Sequence, residues 1–304
     1  MNDLMRNLRR CIFLPSLFVC LLAFTSFGQT DDEVVKVDSG IVLINATVAD
    51  NSGAALTGLK ASQFTVLIDG AQQKIDTFEA EPTAFAAVIL LDISGSMESR
   101  VSLARSAAIK FLEGLRGSDV AAVYRFDSKV ELVQDFSTSR DIAESIFELK
   151  ADGMTALNDA VSKAANVLTT RPEKRRAIVV LSDGGDTISK LSGDKALRAA
   201  NDAGATIYTV DMSSPDLKVA ERSQLQGALK KFSDKTGGTF IAVSGGPLMR
   251  DALNKIAIEL GNQYTLTVAL TDALTDGKFH SVEVRVSKPN LTIRTRKGFT
   301  SPKK

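Results

Sequence analysis

Five side chains with oxygen donors, on three separate stretches, are the residues of this sequence most able to do chemistry together. The first stretch is Asp92-Ile93-Ser94-Gly95-Ser96. The second, Asp152-Gly153-Met154-Thr155-Ala156-Leu157, contributes Thr155. The third, Leu181-Ser182-Asp183-Gly184-Gly185, contributes Asp183. Two carboxylates and three hydroxyls form a hard donor set with little charge, which suits Mg²⁺ or Mn²⁺. A cation held by neutral hydroxyls stays electrophilic, with room for a water or an incoming carboxylate. Singly, each stretch has a plainer use: Asp and Ser cap helices, and Asp-Gly-Gly makes turns.

Convergence depends on the elements that carry these residues. Residues 85–91 form an apolar run with no polar alternation, which suits a strand buried on both faces of a parallel sheet. A helix is expected over 98–115. Residues 177–181 form a second fully buried strand, and a helix opens at Ala156. If the two strands are neighbours, Asp92 and Asp183 leave the same carboxyl edge, where open α/β sheets bind ligands. Further strands are expected at 120–126, 130–136 (an edge), 206–210 and 239–243. Helices are expected at 141–149, 156–168, 194–203, 220–232 and 247–260. This alternation implies an α/β fold with a doubly wound, mostly parallel sheet. Asp127 and Asp159 fall near the rim as solvated or supporting groups. Lys174-Arg175-Arg176 reads as a solvated entry to a buried strand, and the sole histidine, His280, as a surface residue.

Both flanks read as β. Residues 34–49 alternate, 64–68 and 74–78 are strand-like, and Asp69-Gly70 marks a tight hairpin turn. Strands follow at 264–270, 279–286 and 291–296. The two flanks are expected to pair into a small β-sandwich with the α/β domain inserted between them.

Residues 1–28 place Arg6, Arg9 and Arg10 before an apolar run over 11–24, then Ser26-Phe27-Gly28. This is the layout of a secretory signal peptide cleaved after Gly28, and export to the periplasm or the cell exterior follows from it. Both cysteines, Cys11 and Cys20, lie in that segment, so the mature chain would have neither thiol nor disulfide. Losing three arginines and one aspartate takes the net charge from +1 to −1. No basic field points to nucleic acid, and no transmembrane span is expected in the mature chain.

The three stretches, in this order, resemble the metal-ion-dependent adhesion site (MIDAS) of von Willebrand factor type A domains, over about 83–262. The resemblance implies direct metal binding by Ser94 and Ser96. Thr155 would bind directly or through water, and Asp92 and Asp183 mostly through water. The flanks, with Gly58-Leu59, Phe64, Asp69-Gly70 and Arg296-Lys297-Gly298-Phe299, resemble the bacterial VWFA-related proteins of acidobacterial type. The expected organisation is 1–28 signal peptide, 29–82 N-terminal β segment, 83–262 VWFA domain and 263–304 C-terminal β segment.

The function expected is an exported binding module that captures an Asp or Glu side chain of a protein partner through the metal. The alternative is an envelope scaffold subunit whose metal only stabilises loops. Enzymatic chemistry is not expected. Gly-x-Ser-x-Gly is absent, and a single histidine cannot make His-Glu-x-x-His.

Overall fold

The computed structural model describes residues 40–140, 144–242 and 246–303. The signal-peptide reading of 1–28 and the start of the 34–49 strand lie outside them. In chain order, the first elements are β1 (Ile41–Ala49), β2 (Phe64–Ile68), β3 (Ala71–Gln73) and β4 (Thr77–Glu79). The alternating segment follows: β5 (Phe85–Asp92), α1 (Val101–Glu113), β6 (Val120–Phe126), β7 (Val130–Ser137), α2 (Leu157–Thr169), β8 (Arg175–Ser182), α3 (Gly193–Asp202), β9 (Ala205–Asp211), α4 (Val219–Thr236), β10 (Phe240–Ile241) and α5 (Gly246–Gly261). The chain closes with β11 (Tyr264–Ala269), β12 (Phe279–Val286), β13 (Thr292–Thr295) and β14 (Gly298–Thr300).

The alternating segment builds a six-stranded sheet in the order β10-β9-β8-β5-β6-β7, parallel except for the antiparallel edge β7. The apolar run of β5 is buried because both its faces are covered. Phe85, Ala87, Ile89 and Leu91 enter a core with α1 and α5, while Ala86, Val88 and Leu90 enter a second core with α2 and α3. β8 and β6 flank β5, with Leu91 opposite Leu181 and Asp92 opposite Phe126. The chain winds away from β5 in both directions, so the edge between β5 and β8 is the topological switch point.

The terminal strands form two antiparallel four-stranded sheets, β13-β1-β11-β4 and β14-β12-β2-β3, that share one apolar core. Asp69 and Gly70 both take positive φ (50° and 80°), the left-handed pair that a two-residue hairpin turn requires, and β2 folds directly onto β3.

Several expectations are corrected. Of the strand expected at 74–78, only the last two residues are strand, at the start of β4; Lys74-Ile75-Asp76 is where the chain crosses from β3 in one sheet to β4 in the other. The helix expected at 141–149 is a short 3₁₀ turn, Glu144–Glu148, with 141–143 outside the described residues. Of the strand expected at 239–243, β10 covers Phe240–Ile241, and 243 lies outside the described residues. Arg175 is 0% exposed rather than solvated: its guanidinium donates to Gly261 O (2.8 Å), Glu81 O (3.1 Å) and Thr265 Oγ1 (3.2 Å). His280 is 6% exposed, wedged between Asp69 (Nδ1 to Oδ2, 2.7 Å) and Asp276 (Nε2 to Oδ1, 3.0 Å) and packed on Phe299. Thr47, on the outward face of β1, is also buried, because it donates to Glu259 of α5 (3.1 Å). Among the described residues, no helix is long and apolar enough to cross a membrane.

Candidate metal centre

Asp92 is the last residue of β5, and its carboxylate is buried. Ser94 donates to Oδ1 from its backbone N (2.9 Å) and from Oγ (2.6 Å). Ser182, at the end of β8, donates its hydroxyl to Oδ2 (2.6 Å). The carboxylate therefore draws together the ends of the two strands at the switch point. Burial pushes its pKa up to about 6; the bonds from Ser182 and Ser94 oppose that rise, and the charge of nearby Asp183 adds to it. Among the described residues, no basic side chain pairs with Asp92 or Asp183.

While the Ser94 hydroxyl donates to Asp92, its oxygen keeps acceptor capacity, and Ser96 Oγ lies 3.2 Å away. Ser94 is buried and Ser96 exposed, so the cluster opens to solvent at Ser96. The helix expected from residue 98 starts instead at Val101. A tight turn fills the gap, with Met97 N bonding Ser94 O (2.9 Å) and Arg100 N bonding Met97 O (2.7 Å). That turn holds both serines on one side of the loop.

The Thr155 loop is stitched to this turn. Asp152 N donates to Ile93 O (2.9 Å), and Gly95 N donates to Gly153 O (3.1 Å). Thr155 itself is buried, and its carbonyl accepts from Thr187 N (2.8 Å) and Ile188 N (3.1 Å). Asp183 accepts from Gly185 N (2.9 Å). Gly184 has φ +91°, and a Cβ there would lie 2.4 Å from Leu225 O, so only glycine lets α4 pack against this turn. Asp159 accepts from Lys190 N and Leu191 N (both 3.0 Å), and so supports the loop after Asp183. Asp127 accepts from Lys129 N (2.7 Å), and its carbonyl takes Ala156 N (2.8 Å).

Asp92, Ser94 and Ser96 are thus joined by direct hydrogen bonds, Asp183 lies within electrostatic reach of Asp92, and Thr155 sits on a loop bonded to the serine turn. Among the described residues, no three His, Cys, Asp or Glu side chains cluster as a metal site. The candidate set is accordingly a mixed one of carboxylates and hydroxyls, and that chemistry fits a hard divalent cation. Ser182 was missed by sequence reasoning. Its signal was its place beside Asp183 at a strand end, but its role depends on which strand lies next to β8.

Residues 87–185 match a family model described as von Willebrand factor type A domain, and residues 205–295 match a second model of that description. The first stretch holds β5 to β8 of the six-stranded sheet; the second holds β9 and β10 of that sheet and runs on through β11 and β12 into β13 of the flanking sheets. A protein of Borreliella burgdorferi is 25% identical over 182 residues, covering 52% of this chain and 53% of its own length, so the chain spans about half the length of this curated relative. Among solved structures, the vWF domain of the type V pili tip protein Mfa5 from Porphyromonas gingivalis has a TM-score of 0.50 at 14% identity, covering 60% of this chain and 98% of that one. A von Willebrand factor type A protein from Catenulispora acidiphila has a TM-score of 0.48 at 14% identity, covering 88% of this chain and 75% of that one.

Proposed function

We propose, from the match of residues 87–185 and 205–295 to von Willebrand factor type A models, that the chain is an exported binding module built on such a domain. It captures an Asp or Glu side chain of a protein partner at a MIDAS-type centre formed by Asp92, Ser94, Ser96, Thr155 and Asp183. We assign the flanks to the acidobacterial type, and the location to the periplasm or cell exterior, on the sequence features described above.

One observation carries the reading. Asp92 is a buried carboxylate beside a second carboxylate, with no basic partner among the described residues. Two acidic groups held together out of water are unfavourable unless a cation balances them. Mg²⁺ or Mn²⁺, when bound, supplies that charge and an electrophilic position for a carboxylate oxygen. The protein's own part is positional. Asp92 uses both oxygens on Ser94 and Ser182, so its direct task is to orient the Ser94 hydroxyl. That agrees with a role through water rather than as a direct ligand.

The test compares thermal unfolding of the native protein, Asp92→Ala and Ser96→Ala in Mg²⁺ and in EDTA. A ligand at a hundred times its dissociation constant stabilises by about 2.7 kcal/mol. That should raise the native midpoint by about 5 °C or more, with the shift lost in both variants. Equal native midpoints with and without metal would reject the centre.

A further inference from the structure

Two large apolar side chains stand exposed beside the candidate metal centre: Met154 is 58% exposed and Ile188 45%. Neither is there by accident of a floppy surface. Met154 precedes the buried Thr155 in the chain, and Ile188 N donates to Thr155 O at 3.1 Å. Thr187 fixes the same junction from both sides, donating its N to Thr155 O (2.8 Å) and accepting Thr155 N at its hydroxyl (2.9 Å). The two apolar side chains are therefore held on adjoining loops, with a proposed metal ligand between them.

The rest of this rim is mostly acidic, with Lys190 the exposed basic side chain on these loops and Arg100 turned to Ser213 O. Glu98, Asp152 and Asp186 are exposed on the same three loops, and Asp183 lies behind them. Asp186 is engaged by Asn158 Nδ2 (2.7 Å) and Ser189, and Asp152 by Gly153 N (2.7 Å), so both carboxylates are kept in place. A ligand carrying a run of carboxylates would meet repulsion from this ring. A ligand with one carboxylate flanked by an apolar residue would not, and it would cover Met154 and Ile188.

We infer that Met154 and Ile188 are specificity-determining residues, which make the centre select a protein segment presenting a single Asp or Glu beside a large apolar side chain. The inference rests on the carboxylate-capturing reading above. Covering a half-exposed aliphatic contact gains roughly 1 kcal/mol, which is a factor of about five to ten in affinity.

The experiment titrates the full chain with three labelled peptides in Mg²⁺ and in EDTA: Gly-Gly-Asp-Gly-Gly, Gly-Gly-Asp-Leu-Gly and Gly-Asp-Asp-Asp-Gly. The expected result is Mg²⁺-dependent binding, with the Asp-Leu peptide about five to ten times tighter than the Asp-Gly peptide and the triple-Asp peptide weakest. In Met154→Ser/Ile188→Ser the Asp-Leu preference should fall to twofold or less. Ile41→Ser, which removes an exposed apolar side chain from β1, should keep it. Equal Mg²⁺-dependent binding of all three peptides, or an Asp-Leu preference that survives the double substitution, would overturn the inference and leave carboxylate capture standing. Failure of every peptide to bind in Mg²⁺ would overturn carboxylate capture, and this inference with it.

Discussion

The two edges of the parallel sheet each bury a charge, and they treat it in opposite ways. At the amino edge, each nitrogen of the Arg175 guanidinium has a partner, in Thr265 Oγ1, Gly261 O and Glu81 O. Arg116 adds bonds to Thr83 O (2.9 Å) and Gly261 O (3.4 Å) and is itself clamped by the buried Asp119. These carbonyls belong to the two places where the chain passes between sandwich and sheet, so buried Arg175 and half-buried Arg116 fasten the insertion at both crossings. Burial lowers the Arg175 pKa to about 10, partly offset by the charge of Glu79, and the group stays protonated at neutral pH. At the carboxyl edge, Asp92 is held only by hydroxyls and one N–H, beside another carboxylate. The amino edge is a joint closed by protein groups, whereas the carboxyl edge keeps two carboxylates with no basic partner among the described residues, which is where the proposed cation would act.

Arg175→Ala should have the largest effect. It removes a donor from Gly261 O, Glu81 O and Thr265 Oγ1 and leaves a void in place of a fully buried side chain, and should cost about 3 kcal/mol in urea unfolding. The Mg²⁺-induced shift in midpoint should persist, because the opposite edge is untouched. Loss of both together would mean that the edges are not independent.

Asp92→Asn reverses the pattern. It removes the uncompensated charge while preserving shape, so it should abolish the Mg²⁺ response, about 2–3 kcal/mol at saturating metal, without destabilising the chelated protein. A chelated variant clearly less stable than native would show that Asp92 is structural.

Ser182→Ala tests the bond between the strand ends. It leaves Asp92 Oδ2 and Gly184 N without their partner. A loss of about 1–2 kcal/mol is expected by thermal unfolding, with weaker Mg²⁺ binding by calorimetry. A neutral outcome would remove Ser182 from the centre.

The smallest effect belongs to His280, a third buried charge, which lies in the sandwich and is answered on both sides. The bonds to Asp69 and then Asp276 raise its pKa, with burial opposing. Asp69 is lowered chiefly by His280; Asp276 is lowered to about 2, chiefly by the Lys278 N–H and also by His280. A raised histidine pKa gives stability that is present below about pH 6.5 and lost as pH rises through the raised value. The lowered carboxylates contribute above their usual range and lose that contribution as pH falls towards 2. Native protein should therefore exceed His280→Asn most near pH 5–6, and the gap should narrow towards pH 9 in a melting series. A gap that does not change with pH would show that the ring is held by packing alone.

Local pattern made much of this legible. The apolar run of β5 suited a strand covered on both faces, and Asp69-Gly70 was a good cue for a tight hairpin turn. The order of the three donor stretches placed Asp92, Ser94, Ser96, Thr155 and Asp183 at loops after strands or before a helix. What failed to show were roles that depend on a distant partner. Arg175 looks like any basic residue before a strand, because the carbonyls that take its protons lie 86 and 94 positions away along the chain. His280 looks exposed because Asp69 is 211 positions away.

By itself, the sequence determined the strand and helix periods, the apolar cores they imply and the inventory of oxygen donors, because each follows from neighbours a few residues apart. Only the tertiary structure decided that β8 lies beside β5, that Ser182 reaches Asp92, and which buried charge is answered and which is left open. Those outcomes are set by strand order and by groups far apart in the chain, where burial and Coulombic energy depend on distance in space.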